Sequence, residues 1–160
     1  MKQNAVRTQR TLNIGIVAGE KSGDALGAGL MQALRAHAPN TVFSGLGGPA
    51  MLAQGFVSLA PMERLSVMGL VEPLARLPEL VRLRKQLYQH FIASGVDLVV
   101  GIDSPDFNLG LEKKLRARGL RTCHYVCPSV WAWRQGRVKK LRAAADHVLA
   151  LLPFEAEFLQ

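Results

Sequence analysis

Cysteine, aromatic residues and acids are all scarce in this chain of 160 residues. Two cysteines, Cys123 and Cys127, are too few for a disulfide framework. Their spacing in Thr-Cys-His-Tyr-Val-Cys-Pro is neither that of a redox pair nor that of a common zinc pair, and no second pair exists. Four apart on a strand, they share one face and His124 points to the other. They read as small buried residues in a reducing compartment. No apolar run approaches the ~20 residues that cross a bilayer. The polar, basic start lacks the apolar core of a signal peptide, because Gly19-Glu20-Lys21 interrupts the run that follows, so residues 1–11 read as a flexible basic tail. Twelve acids face twenty Lys and Arg, for a net charge of +8. Ten of those cations, and only one acid, Glu112, lie in residues 111–142. That asymmetry suggests an anionic partner: phosphate, an anionic membrane surface or nucleic acid. Solvated helix faces would account for about half of these charges.

What is abundant is apolar: 49% of residues, enough for one domain with a true core. Leu12–Ala18 reads as strand one and Gly19–Asp24 as a turn. A helix follows over Ala25–His37, stopped by Pro39-Asn40. Val42–Leu46 reads as strand two, then a short helix near Ala50–Gln54 and a short strand in Gly55–Leu59. Pro73–Ala93 is a long helix with Pro73 in its first turn. Asp97–Ile102 is a strand, Leu109–Arg118 a helix ending at Gly119, and Arg121–Val126 a strand. Arg137–Ala145 is a helix and His147–Leu151 a strand. Strands alternating with helices predict an α/β fold: a Rossmann-like parallel sheet with helices on both faces. The final residues, Leu152 to Gln160, look like the start of another helix with no stop signal, as in a piece of a longer protein.

Three loops carry the chemistry. Gly101-Ile102-Asp103-Ser104-Pro105-Asp106-Phe107-Asn108 brings two carboxylates and an amide off the carboxyl end of a strand, where open α/β sheets bind ligands. A carboxylate there can act as general base or accept from a sugar hydroxyl, and Asp103 is the candidate. Asp106 and Asn108 serve the site or cap the helix from Leu109. In Gly19-Glu20-Lys21-Ser22-Gly23-Asp24 a glycine turn before a helix exposes N–H groups to an anion. Its spacing matches neither the dinucleotide fingerprint nor the P-loop, and Glu20 and Asp24 would repel a pyrophosphate. Ser22 and Asp24 either bond sugar hydroxyls or cap the helix. Gly27 and Gly29 allow close helix–sheet packing. The third loop, Pro128 to Arg137, holds both tryptophans, Trp131 and Trp133, beside Arg134 and Arg137. Tryptophan stacks on sugar rings and arginine pairs with phosphate, while at least one Trp filling the core is the plainer reading.

In the long helix, Leu74, Leu77, Leu80, Val81, Leu83, Leu87, Phe91 and Ile92 recur at helical spacing, with Arg76, Arg82, Arg84 and Lys85 interleaved. A core-facing amphipathic helix is the simple account; an interfacial helix on a membrane surface is the sharper one.

Taken in order, Ala18-Gly19-Glu20-Lys21-Ser22-Gly23-Asp24, Val67-Met68-Gly69-Leu70-Val71-Glu72, Gly101 to Asn108, His124 to Arg134 and Leu151-Leu152-Pro153-Phe154-Glu155 resemble the lipid-A-disaccharide synthase family. The likeness spans residues 12–160. Each motif is weak alone; the ordered set is specific. Lys21 stands where the family usually has a small residue or proline, and Cys127 where serine is common. The resemblance implies a glycosyltransferase-B fold of two Rossmann-like domains, of which residues 12–160 would be the N-terminal, acceptor-side one, with the C-terminal nucleotide-sugar domain absent. It implies an inverting, metal-free and cofactor-free transfer from UDP-2,3-diacylglucosamine to 2,3-diacylglucosamine 1-phosphate, releasing UDP. Asp103 matches the general base. Glu20, Ser22, Gly23, Asp24, Asp106 and Asn108 would surround the acceptor or orient Asp103, and Ser129, Trp131, Trp133 and Arg134 would line the cleft. Val71, Leu74 and Leu77 match a patch that meets the membrane. The implied setting is the cytoplasmic face of the inner membrane of a Gram-negative bacterium. Alone, the chain is expected not to turn over; its protein partner would be the missing domain or a second copy. Two other readings compete: a non-catalytic binding domain for an anionic lipid or phosphosugar, and a basic nucleic-acid-binding domain. The second rests on charge alone, without a recognition motif, and no nucleic-acid partner is expected.

Overall fold

The computed structural model describes residues 10–66, 73–126 and 135–151. Six strands form one sheet: β1 (Asn13–Ala18), β2 (Val42–Leu46), β3 (Val57–Ser58), β4 (Leu98–Ile102), β5 (Arg121–Tyr125) and β6 (His147–Leu149). Every pairing is parallel, and the spatial order is β3-β2-β1-β4-β5-β6. That is the Rossmann order, in which the chain winds outward in both directions from the β1–β4 pair. The central strands are nearly pure apolar, because helices cover both of their faces.

The helices are α1 (Lys21–His37), α2 (Pro49–Leu52), α3 (Glu63–Ser66), α4 (Pro73–Ala93), α5 (Pro105–Ala117) and α6 (Gln135–Ala144). On one face Leu80, Leu83, Leu87 and Phe91 of α4 and Phe107, Leu111 and Leu115 of α5 pack with Val17 and Val99. On the other, Met31 of α1 and Met51 of α2 pack with Ile14, Ile16, Val100, Ile102 and Cys123. A smaller cluster of Leu109, Leu141 and Ala144 joins α5 to α6. Each large side chain fully buried this way contributes roughly 1.5–3 kcal/mol.

The parallel sheet and the span of α4 agree with the sequence reading; several helix ends do not. α1 begins at Lys21, not Ala25, so Ser22, Gly23 and Asp24 belong to its first turn and the turn proper is only Gly19-Glu20. α5 begins at Pro105, not Leu109. Proline suits the first helical position, where its missing N–H costs nothing. Asp106 and Asn108 therefore lie inside α5, and neither caps it. Ser104 holds the cap position without a side-chain bond. Pro78 sits within α4, which continues through it.

Residues 1–9 lie outside the described residues, but Arg10 pairs with Asp97 and the Leu12 carbonyl accepts from Val42 N–H at 2.9 Å. No helix among the described residues is long and apolar enough to cross a membrane.

Candidate functional site at the carboxyl edge of the sheet

Ala18, the last residue of β1, pairs with Ile102, the last of β4. The loops after them therefore leave the sheet side by side, and α1 and α5 then diverge to opposite faces. This is the topological switch point, where open α/β sheets form their ligand crevice. The two loops touch: a Cβ at Gly19 would lie 3.1 Å from Ser104 Oγ and 2.6 Å from the Leu65 side chain. Any larger residue there would have to displace Leu65.

Asp103 stands at the centre of this edge. Its N–H donates to the Tyr125 carbonyl at 2.9 Å. Its own carbonyl accepts from Asn108 Nδ2 at 2.8 Å. Its carboxylate makes no hydrogen bond to another described residue, so the backbone is fixed and the acid group is available. Asp103 has φ 52° and Ser104 φ 43°, and Val126, after the neighbouring strand, has φ 74°. Non-glycine residues in the left-handed region are strained and cluster at functional sites.

Asn108 is fully buried, and Nδ2 also lies 3.3 Å from the carbonyls of Val17 and Ile102. It ties the end of β4 to β1 and thereby orients Asp103. Asp106 is exposed in the first turn of α5, where a carboxylate complements the helix dipole. Its carbonyl accepts from Arg84 Nη2 at 3.2 Å, and the Arg84 guanidinium lies over the Phe107 ring. Partial burial lowers the Arg84 pKa. Glu20 and Ser22 are exposed at the mouth of the crevice, and neither side chain bonds another described residue. Gly23 packs against Ala18 and Ile102, where a Cβ would make ordinary contact.

Asp24 is placed differently. It is buried, and its carboxylate accepts from the N–H groups of Gly48 (2.9 Å), Ala50 (2.9 Å) and Met51 (3.0 Å). It caps α2, not α1, and both of its oxygens are engaged in these bonds. Gly27 meets the Met51 side chain, so it admits a neighbouring helix, whereas Gly29 faces open space.

Ser129, Trp131, Trp133, Arg134 and Val71 lie outside the described residues. Leu74 lies within α4. Leu77 on the same helix is 49% exposed and Val81, one turn on, 57% exposed, while Leu80, Leu83 and Leu87 face the core. α4 thus has a buried face and a second apolar stripe turned outward. A cleft of about 510 Å³ between α5 and α6 is lined by Asp106, Leu109, Lys113 and Lys140.

Sequence reasoning missed one pair. Glu112 of α5 and His124 of β5 are both buried, with Oε1 2.9 Å from Nδ1. Burial pushes the Glu112 pKa up, partly offset by the histidine. The signals were present: Glu112 is the single acid of the basic stretch, and His124 points away from the cysteine face. Cys123 is buried on that other face, with its thiol pushed up to about 11 by burial and by Glu112.

A family model described as lipid-A-disaccharide synthetase matches residues 14–160. The lipid-A-disaccharide synthase of Pseudomonas aeruginosa (strain UCBPP-PA14) is 62% identical over 149 residues, 93% of this chain and 39% of that protein. That of Hahella chejuensis is 58% identical over 151 residues, 94% of this chain and 38% of that protein. That of Pseudoalteromonas translucida is 57% identical over 152 residues, 95% of this chain and 40% of that protein. The chain thus spans about two-fifths of the length of the curated relatives it matches. With that match over residues 14–160, a six-stranded parallel sheet in the Rossmann order and a strained aspartate at the switch point, the chain belongs to the lipid-A-disaccharide synthetase family.

Proposed function

We propose that this chain is the acceptor-side, N-terminal half of an inverting glycosyltransferase of the glycosyltransferase-B type. The reaction joins UDP-2,3-diacylglucosamine to 2,3-diacylglucosamine 1-phosphate, giving the lipid A disaccharide 1-phosphate and UDP. One observation carries the reading: in a chain of this family, Asp103 presents an uncommitted carboxylate at the switch-point crevice on an otherwise immobilised backbone. In the proposed step Asp103 takes the proton from the acceptor's 6-hydroxyl. That oxygen attacks the anomeric carbon of the donor sugar, and the bond to the UDP oxygen breaks with inversion. Glu20 and Ser22 accept from or donate to sugar hydroxyls, and Asp106 borders the same space. By the resemblance, Ser129, Trp131, Trp133 and Arg134 would line the cleft and bind substrate. A second domain supplies the nucleotide contacts, so the chain alone does not turn over.

Both substrates carry acyl chains and partition into a membrane. The outward stripe of α4 at Leu77 and Val81, together with Leu74 and Val71 of the preceding sequence, would rest on the cytoplasmic face of the inner membrane, with the adjacent arginines and lysine at head-group level.

The test is a transfer assay in mixed micelles, run with the chain alone, with a separately expressed second domain, and with Asp103→Ala or Asp103→Asn. The expected outcome is transfer only in the two-part mixture, reduced about 10²–10⁴-fold by either substitution with acceptor binding retained. Undiminished transfer by Asp103→Ala would remove the base assignment. A folded two-part complex that binds both lipids without transfer would make this a binding domain.

A further inference from the structure

We propose that Glu112 and His124, acting with Asn108, form a buried clamp that holds the Asp103–Ser104 turn in its left-handed conformation, making them positioning residues for Asp103. Three described non-glycine residues have positive φ, and all follow directly on β4 or β5. Such conformations persist where the surroundings over-determine them. The clamp lies just beneath. Gly101 and His124 are register partners on β4 and β5, each two residues before a strained residue, Asp103 and Val126. Asn108 and Glu112 are one turn apart on α5, facing the same strands. A Cβ at Gly101 would collide with Glu112 Oε1 and lie 2.9 Å from Asn108 Cβ, so the missing side chain admits both. Asn108 then bonds the Asp103 carbonyl, while Glu112 bonds His124 on the neighbouring strand.

This is a poor way to fill a core for stability alone. Glu112 and His124 are 1% and 0% exposed, and Glu112 Oε2, His124 Nε2 and Asn108 Oδ1 find no partner among the described residues. Apolar side chains of similar volume would serve packing as well or better. What they would lose is direction: hydrogen bonds specify where α5 sits over β4 and β5, and hence where the turn after β4 emerges.

The test is amide hydrogen exchange on the 160-residue chain, comparing wild type, Glu112→Gln and the double variant Glu112→Leu/His124→Phe. The probes are the amides of Asp103 (bonded to Tyr125 O) and Val126 (bonded to Leu149 O), with Val42 (bonded to Leu12 O) as a remote reference. In the double variant, exchange at Asp103 and Val126 is expected to rise about tenfold or more and that at Val42 less than about twofold. Glu112→Gln, which keeps a bond to His124, is expected to stay within about threefold of wild type. Wild-type exchange at Asp103 in the double variant, or equal acceleration of all three amides, would overturn the clamp. Glu112→Met/His124→Leu, which also removes both partners, provides the same comparison if that double variant does not fold. The kinetic consequence rests on the proposed role of Asp103: with the second domain supplied, the double variant lowers kcat about tenfold at unchanged KM. Failure of wild type to transfer would count against the proposed function, and the exchange result would still decide the clamp.

Discussion

Asp24 lies one turn after Glu20, and its two oxygens accept three backbone N–H groups from the segment that opens α2. A charged acceptor in a buried site makes strong bonds, and its removal leaves the donors unpaired. Asp24→Ala is therefore expected to destabilise the fold by about 2–4 kcal/mol, read from the urea midpoint of unfolding. A loss below ~0.5 kcal/mol would mean that the cap is dispensable. The sequence showed a carboxylate at a glycine turn before a helix and left two roles open, ligand contact and capping of that helix. Its partner lies 24 residues ahead, a distance over which no local rule operates. Asp103 was more legible, because a carboxylate at the end of an apolar strand has few structural duties. Its left-handed backbone was not legible, since nothing in an Ile-Asp-Ser-Pro string demands positive φ.

At the scale of elements, the approach of α5 to β4 depends on the absence of a side chain at Gly101. Gly101→Ala is expected to cost about 1–3 kcal/mol, because the new methyl meets Glu112 and Asn108 and the helix must shift outward. Gly29→Ala is the contrasting case: it faces open space within α1, and alanine is expected to stabilise by roughly 0.5–1 kcal/mol. Thermal melts of both variants check the pair of signs, and destabilisation by Gly29→Ala would contradict the packing described for α1. The strands and α4 were readable from apolar runs and helical spacing, and the end of α5 from Gly119, which lies just past it with φ 85°. The starts of α1 and α5 were not, because turn residues can equally occupy a first helical turn when a tertiary contact or a proline supports them. The four-residue α3 has too little periodicity to be seen at all.

For the whole molecule, the dependence of stability on pH has two opposed limbs. Asp146 accepts from Thr122 N–H at 2.9 Å and from Arg116 Nε at 2.7 Å, and these hold its carboxyl below the usual carboxylate range. With the folded pKa depressed, its contribution is full above the unfolded value near pH 4 and fades as pH falls through the folded value. Glu112, raised by burial, acts above its unfolded value of about 4.3, where the unfolded chain binds fewer protons and stability falls as pH rises. The relevant quantity is thus the difference between Asp146→Asn and the parent. That difference is expected to shrink below about pH 4, and a difference independent of pH would refute it. Asp146 is partly exposed, so solvent screening keeps the effect modest. On the alkaline side, Cys123 stays protonated in the fold up to about 11. The unfolded thiol ionises from about pH 8.5. Between those values the unfolded chain binds fewer protons, so stability falls as pH rises. Cys123→Ala is expected to flatten this loss, as read from urea midpoints across that range.

What the sequence determined by itself follows from local repetition and composition. Alternating apolar strands and helices dictate a covered parallel sheet, and a carboxylate after a buried strand marks the edge where a ligand can meet it. An ordered set of motifs was enough to point to the family. What only the tertiary structure decided concerns pairs of residues remote in sequence. Asp24 caps α2 rather than α1, Asn108 holds Asp103 instead of capping a helix, and Glu112 meets His124 beneath the turn. The physical reason is the same in each case. A buried polar group must find a partner, and which partner it finds depends on the fold that brings the two together.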